Sequence, residues 1–396
     1  SALALLFLLQ GTFMHSRWLK NCEGCCGEGF WPGTRRRGLS IPVPPIVRDK
    51  GRDNAGPGQK AGCWQAGKVL ALMDEKPILH AFMKRRLLKP VRLRPGDLIG
   101  LISPSGPVVD LARVERGVRY LERRGYRVRM GRHALKVHGF LAGTDEERLA
   151  DLHEMFEDRE VKAIICLRGG YGLTRLLPRL NYELVASHPK IVVGFSDITA
   201  LQLALWRQCR MVTFHGPMVQ ADFSGVTDEV TEESLWRLLT IPDPPTPYVL
   251  PEAHWGPVRG GHVTGRLIGG NLSLLTSLVG TPYQPSFRKA LLFVEEVAEE
   301  PYRIDRMFTQ LIHAGVPKKI AGLLTGQFSH CIARVAGRPS FTLDEVLGGQ
   351  EKEWGVPWVS NLPFGHVRRK ITLPIGVRAR LDFDQRELRF LEAAVI

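Results

Sequence analysis

Lys190–Trp206 reads KIVVGFSDITALQLALW, and the fold is read outward from it. Ile191-Val192-Val193 is a short apolar run, the pattern of a strand buried on both faces of a parallel sheet. Gly194 ends the run and Ser196-Asp197 follow; Ile198, Leu201, Leu203, Leu205 and Trp206 then mark a helix apolar on most sides, hence buried. A strand that turns sharply into a helix presents the turn residue at the carboxyl edge of the sheet, beside the first free N–H groups of the helix. There a serine serves as a nucleophile, with the N–H of Asp197 placed to bind an oxyanion. Ser is also a leading N-cap residue, so the same residues read equally as a capped helix start.

The flanking sequence repeats this alternation. Leu98–Ile102 predicts a strand ending in the loop Ser103-Pro104-Ser105-Gly106, followed by a helix with Leu111, Val114, Val118 and Leu121 on one stripe. Thr144 and Glu147 form the T-x-x-E of a capping box opening a second helix that buries Leu149, Leu152 and Phe156. Strand Ala163–Leu167 runs into Arg168-Gly169-Gly170-Tyr171-Gly172, and strand Val212–Phe214 into His215-Gly216-Pro217. This is a βαβ succession with its loops gathered at one edge of a parallel sheet. The glycine loop lacks both the G-x-G-x-x-G of a dinucleotide site and the Lys of a P-loop. His215 reads as a base or as an ordinary loop-end histidine.

Five prolines between Pro242 and Pro251 predict a semi-rigid linker over 241–255. This divides a first domain at 90–240 from a second at 256–396. In the second, apolar strand Ala290–Val294 ends at Glu295-Glu296, which reads as an exposed functional carboxylate or as a solvated acidic pair. Pro301–Ile312 is an amphipathic helix with Arg306 off its apolar stripe, and His366 follows Pro363-Phe364-Gly365 on a loop.

The 396 residues carry net charge +14, with 44% hydrophobic and 24% charged residues, as in an ordinary globular chain. Residues 1–88 hold 14 Lys+Arg against 6 Asp+Glu, so the remaining 40 against 34 gives +6, and no basic-aromatic stripe points to nucleic acid. No apolar run approaches the ~20 residues of a membrane span. Residues 1–82 lack periodicity and read as a disordered or artefactual extension, with a natural start at Met83 or Met73. Cys22, Cys25, Cys26 and Cys63 all lie within that stretch without a second ligand pair at zinc-finger spacing, so no metal is expected. Cys166, Cys209 and Cys331 read as small core residues.

Eight segments in order, DLIGLISPSGP, FLAGTDEERLADL, ICLRGGYG, VVGFSDITAL, FHGPM, LIGGNLSLLTSLVGTPY, LLFVEEVAEEPYRIDRMFTQL and LPFGHVRRKITLPIG, resemble the LD-carboxypeptidase family of serine peptidases, from about Pro90 to the C-terminus. That family includes muropeptide carboxypeptidases and the microcin C self-immunity peptidase. The resemblance implies an α/β fold: a Rossmann-like (flavodoxin-like) parallel-sheet first domain, a smaller β-rich second domain, and the active site between them. It implies Ser196 as nucleophile, His366 as base and Glu295 as its orienting carboxylate. Asp197 and Gly170 would give the oxyanion-hole N–H groups, and Asn271 and Arg306 would contact substrate. The family more often has Glu-Asp where this chain has Glu295-Glu296, which blurs the neighbour's role only.

The implied reaction is hydrolysis of the amide between an L-configured diamino acid and a terminal D-Ala in a muropeptide, by a cytoplasmic, cofactor-free homodimer serving peptidoglycan recycling. Cleavage of a peptidyl-nucleotide amide is the alternative within the family. An α/β-hydrolase esterase is disfavoured because G-F-S-D-I lacks the second Gly of G-x-S-x-G. A non-catalytic two-domain ligand-binding module is the rival from another class.

Overall fold

Four buried strands and a more exposed edge strand, Arg127–Met130, form the base of the first layer. The computed structural model describes residues 86–256, 260–334 and 339–396, so the expectations placed on residues 1–82 lie outside it. In order come β1 (Leu98–Ile102), α1 (Leu111–Arg123), β2 (Arg127–Met130), α2 (Asp145–Glu157), β3 (Val161–Cys166), α3 (Tyr182–Ser187) and β4 (Ile191–Gly194). They are followed by α4 (Ile198–Cys209), β5 (Thr213–His215), α5 (Val219–Asp222) and α6 (Glu229–Thr240). The capping box of α2 is formed as read: Thr144 Oγ1 accepts from Glu147 N, and Glu147 Oε2 accepts from Thr144 N. Strands run parallel in the order 2-1-3-4-5, the flavodoxin-like arrangement whose loops meet at the carboxyl edge.

The second layer comprises β6 (Tyr248–Val249), β7 (His254–Trp255), β8 (His262–Asn271), α7 (Leu272–Ser277), β9 (Ala290–Val297), α8 (Pro301–His313) and β10 (Gly322–Ser329). It continues through α9 (Leu343–Trp354), β11 (Trp358–Ser360), β12 (Leu373–Ile375), β13 (Arg378–Asp382) and β14 (Glu387–Phe390). Its sheet has eight strands in the order 6-14-13-8-9-10-11-7, with β8 to β11 parallel and the outer strands antiparallel. All described residues fall in one compact unit.

Two features differ from the reading of a plain linker between separate domains. Tyr248–Val249 and His254–Trp255, inside the proline-crowded 241–255 stretch, supply the two edge strands of the second sheet, the positions where nearby prolines cost no ladder bonds. β12 crosses back to the first sheet and pairs antiparallel with β5, Leu373 opposite His215, again as an edge strand that accommodates Pro374. The chain just after His366 is thereby sewn to the layer carrying Ser196. Cys166, Cys209 and Cys331 are buried, and the Cys209 thiol donates to Tyr182 O at 3.3 Å.

Candidate active site

Ser196 occupies the turn between β4 and α4 with φ 64°, a left-handed backbone that a non-glycine residue holds only when its surroundings enforce it, at about 1–3 kcal/mol. Its hydroxyl caps nothing: α4 has no side-chain cap bond, and Ser196 Oγ has no hydrogen-bond partner among the described residues. The carboxylate of Asp197 turns inward, away from the helix it precedes. Its Oδ2 accepts from Ser105 Oγ at 2.5 Å and from Leu173 N at 3.0 Å. Burial pushes the Asp197 carboxyl up, and these two donors oppose that. Asp197 thus ties the loop after β1 and the loop after β3 to the serine turn.

The glycine loop closes on the serine. A Cβ placed on Gly169 would lie 2.7 Å from Ser196 Cβ and 2.9 Å from its Oγ, so only a bare backbone reaches this near. Gly170, at φ 132°, packs against Gly106 with no room for a Cβ, which would meet Gly106 N and Cα at 2.9 Å.

Arg148 holds the same two loops from below. It is 1% exposed; its Nη1 donates to Pro104 O at 2.7 Å and Gly172 O at 3.1 Å, and its Nη2 to Asp145 at 2.5 Å. Burial lowers its pKa, countered by Asp145. The sequence reading passed over this residue. Its signal was a cation on the face of α2 that also carries Leu152 and Met155, four and seven residues on.

The carboxylate and the histidine come from the second layer. Strand β9 does not end at Val294 as expected but runs to Val297, so Glu295 and Glu296 are strand residues, 0% and 3% exposed. A solvated acidic pair is thereby excluded: successive strand side chains point to opposite faces, and each glutamate finds its own partners. Glu295 Oε2 accepts from His366 Nδ1 at 2.7 Å, while Oε1 is buried without a partner. With the carboxylate accepting, the hydrogen sits on Nδ1 and Nε2 keeps a lone pair. Gly365, at φ 108°, permits the approach, since a Cβ there would meet Glu295 Cβ and Oε2 at 2.8 Å.

The histidine ring packs edge-on against Phe195, the residue before the serine, with centroids 4.8 Å apart. Lys370 Nζ lies 4.2 Å over the same phenyl ring and pairs with Asp222 Oδ1 at 2.6 Å. Phe195 is therefore clamped between a cation and the imidazole, which registers His366 beside the serine turn. Among the described residues no hydrogen bond joins Ser196 to His366. Beside them opens a cleft of about 470 Å³ lined by Phe195, His366, Lys370, Asp222, Arg113 and Arg368.

Asn271 ends β8 in register with Glu295 of β9, and Arg306 lies on α8. Asn271 is 3% exposed; its Nδ2 donates to Glu296 Oε1 at 2.9 Å, its Oδ1 accepts from Leu274 N at 3.2 Å, and its N–H bonds Thr199 Oγ1 at 3.0 Å. Glu296 also accepts from Ser273 N and Oγ, and burial raises its carboxyl. The second glutamate therefore anchors the start of α7. Arg306 is exposed on α8 over the Tyr302 ring, without an ion pair among the described residues. His215, read as a base or a loop-end residue, instead ends β5 and is walled by Phe195, Phe293 and Phe364, with both ring nitrogens unpartnered. Burial pushes its pKa down to about 4, so it is neutral. Among the described residues no group of three His, Cys, Asp or Glu is placed to hold a metal, and no helix is long and apolar enough to cross a membrane.

A strained serine at the carboxyl edge of a flavodoxin-like sheet, with a half-buried histidine held by a buried glutamate of a second sheet, defines a hydrolase-type arrangement. The comparisons with known proteins make this specific. The family models for the LD-carboxypeptidase N-terminal domain and C-terminal domain match residues 99–216 and 264–381. The chain is 40% identical over 297 residues to the "Probable murein peptide carboxypeptidase" of Bacillus subtilis, covering 74% of this chain and 91% of that protein. It is 30% identical over 331 residues to the "Microcin C7 self-immunity protein MccF" of Escherichia coli, covering 76% and 94%. Among solved structures, the muramoyltetrapeptide carboxypeptidase from Oxalobacter formigenes superposes with TM-score 0.66 at 35% identity, covering 74% of this chain and 97% of that one. Apo microcin C7 self-immunity protein MccF superposes with TM-score 0.71 at 28% identity, covering 78% and 100%. The chain belongs to the LD-carboxypeptidase family, and so to the serine peptidases.

Proposed function

We propose that the chain is a serine-type LD-carboxypeptidase that removes a terminal D-Ala from muropeptides. The observation that carries this reading is a free Ser196 hydroxyl on a positive-φ turn next to Phe195, against which packs His366, its Nδ1 fixed by buried Glu295. Ser196 Oγ attacks the carbonyl carbon of the penultimate residue while His366 Nε2 takes its proton. Glu295 stabilises the resulting imidazolium, and the N–H groups of Asp197 and Gly170 receive the oxyanion. The imidazolium then protonates the departing D-Ala amine, and water, deprotonated by the same nitrogen, hydrolyses the acyl-enzyme and frees Ser196.

Arg306 is an exposed guanidinium of the kind suited to a substrate carboxylate. In this reading Asn271, its amide engaged by Glu296 and the start of α7, contacts substrate through its second Nδ2 hydrogen or the remaining Oδ1 lone pair. Identity of 40% to a murein peptide carboxypeptidase against 30% to MccF favours the muropeptide over a peptidyl-nucleotide amide. A cytoplasmic homodimer acting in peptidoglycan recycling completes the proposal. The test is hydrolysis of L-Ala-γ-D-Glu-meso-diaminopimelate-D-Ala against glutamyl sulfamoyl adenosine. Preferred release of D-Ala supports the reading, and cleavage of the nucleotide amide alone refutes it.

A further inference from the structure

A second concave site lies at the far end of α4, about 18 Å along the helix from the serine turn at 1.5 Å per residue. Trp206 and Arg210 close the last turn of α4 there. Arg266 on β8, Arg288 and Lys289 before β9, and Arg378 on β13 complete a pocket of about 430 Å³. Five cationic side chains thus face one cavity. The carboxylate paired with any of them among the described residues is Glu392, which bonds Arg266 Nη1 at 2.9 Å and is shared with Lys89 at 3.3 Å. Arg210, Arg288, Lys289 and Arg378 form no ion pair among the described residues.

Two of these charges are held close to each other. The guanidinium carbons of Arg210 and Arg266 lie 4.6 Å and 6.0 Å from the same Trp206 ring, which is 4% exposed. Arg210 Nε is buried with no hydrogen-bond partner. Burial and the neighbouring Arg266 both push the Arg210 pKa down. An ordinary basic surface spreads its charges apart; here they converge on one half-open hollow, with a buried Arg210 Nε unused. A bound anion relieves the repulsion and satisfies those donors.

We propose that this pocket binds a small soluble polyanion of the phosphate or diphosphate class. Guanidinium forks match phosphate oxygens two by two, and several cations beyond the single carboxylate call for a ligand with more than one negative charge. The site shares no residue with the catalytic cleft, so the proposal stands independently of the peptidase reading.

The test is calorimetric titration of the full chain with inorganic pyrophosphate, at low and at 0.5 M salt, alongside a triple variant Arg288→Gln, Lys289→Gln, Arg378→Gln. These positions are exposed, so the variant is expected to fold. Expected are saturable one-to-one binding that weakens with salt, a Kd raised about tenfold or more in the variant, and unchanged D-Ala release. Equal Kd in parent and variant, or no binding of pyrophosphate at low salt, overturns the proposal. So does binding only to phosphatidylglycerol vesicles or to a single-stranded oligonucleotide, which would make the patch a surface for extended polyanions.

Discussion

Replacing Glu295 by Gln changes the site by one charge and almost no volume. The carboxylate is fully buried, its Oε2 is 2.7 Å from His366 Nδ1, and its Oε1 has no partner. The amide oxygen can still accept from Nδ1–H, so ring orientation and tautomer survive. What is lost is the attraction between a full negative charge and the imidazolium that forms as Ser196 gives up its proton. Taking the charge centres about 4 Å apart and an effective dielectric of about 20 gives about 4 kcal/mol. That stabilisation exists only once the imidazole is charged, so it appears in kcat, as a loss of about a thousandfold, with KM nearly unchanged. Stability should stay within about 1 kcal/mol of the parent, because the substitution also removes a buried charge that is only half satisfied. The assay is D-Ala release from the tetrapeptide under saturating substrate, with urea unfolding of the same preparation. A folded Glu295→Gln protein whose kcat lies within tenfold of the parent refutes the role given to this carboxylate.

Other perturbations probe the supporting structure. Arg148→Lys keeps the charge but loses the fork spanning Pro104 and Gly172; urea unfolding should show a loss of about 2 kcal/mol, with kcat reduced as the glycine loop loosens, and parent-like stability would contradict the clamp. Gly365→Ala forces a Cβ into Glu295 at a left-handed φ; it should cost about 1–3 kcal/mol and lower kcat, whereas unchanged activity would show that the Glu–His approach tolerates displacement. His215 has a folded pKa near 4 against 6.5 unfolded, so below pH 6.5 the unfolded chain takes up a proton that the folded one refuses. Stability therefore falls as pH drops from about 6.5 to about 4, by up to roughly 3 kcal/mol from this group. Thermal melts of His215→Phe should show a shallower acid decline, and an identical slope would mean that His215 titrates normally in the fold.

Much of the first layer was legible because β1, β3 and β4 are continuous apolar runs and α1 and α2 carry a stripe and a capping box, all local signals, whereas the edge strand Arg127–Met130 alternates charged and apolar residues and went unread. The run Leu98–Ile102 and the helix entered at Ile198 fall where the sequence puts them. Glu295 was recognisable as chemistry but misplaced as structure: two successive glutamates look like a strand end until their separate partners on the two faces are known. The crossing of β12 into the first sheet had no local signature, since Leu373 meets His215 over a separation that only tertiary packing decides. Arg148 was hidden for the opposite reason, a charge inside an apolar stripe whose partners are backbone carbonyls of distant loops. The positive φ of Ser196, which removes the simple N-cap reading, is likewise invisible in residue types alone.

The central claim, that Ser196 is the nucleophile of an LD-carboxypeptidase, is tested most directly by mass-spectrometric detection of D-Ala from L-Ala-γ-D-Glu-meso-diaminopimelate-D-Ala, with parent and Ser196→Ala proteins side by side. The account predicts release by the parent and loss of release in a folded Ser196→Ala variant. Equal release by both proteins, or none from a folded parent, would contradict it.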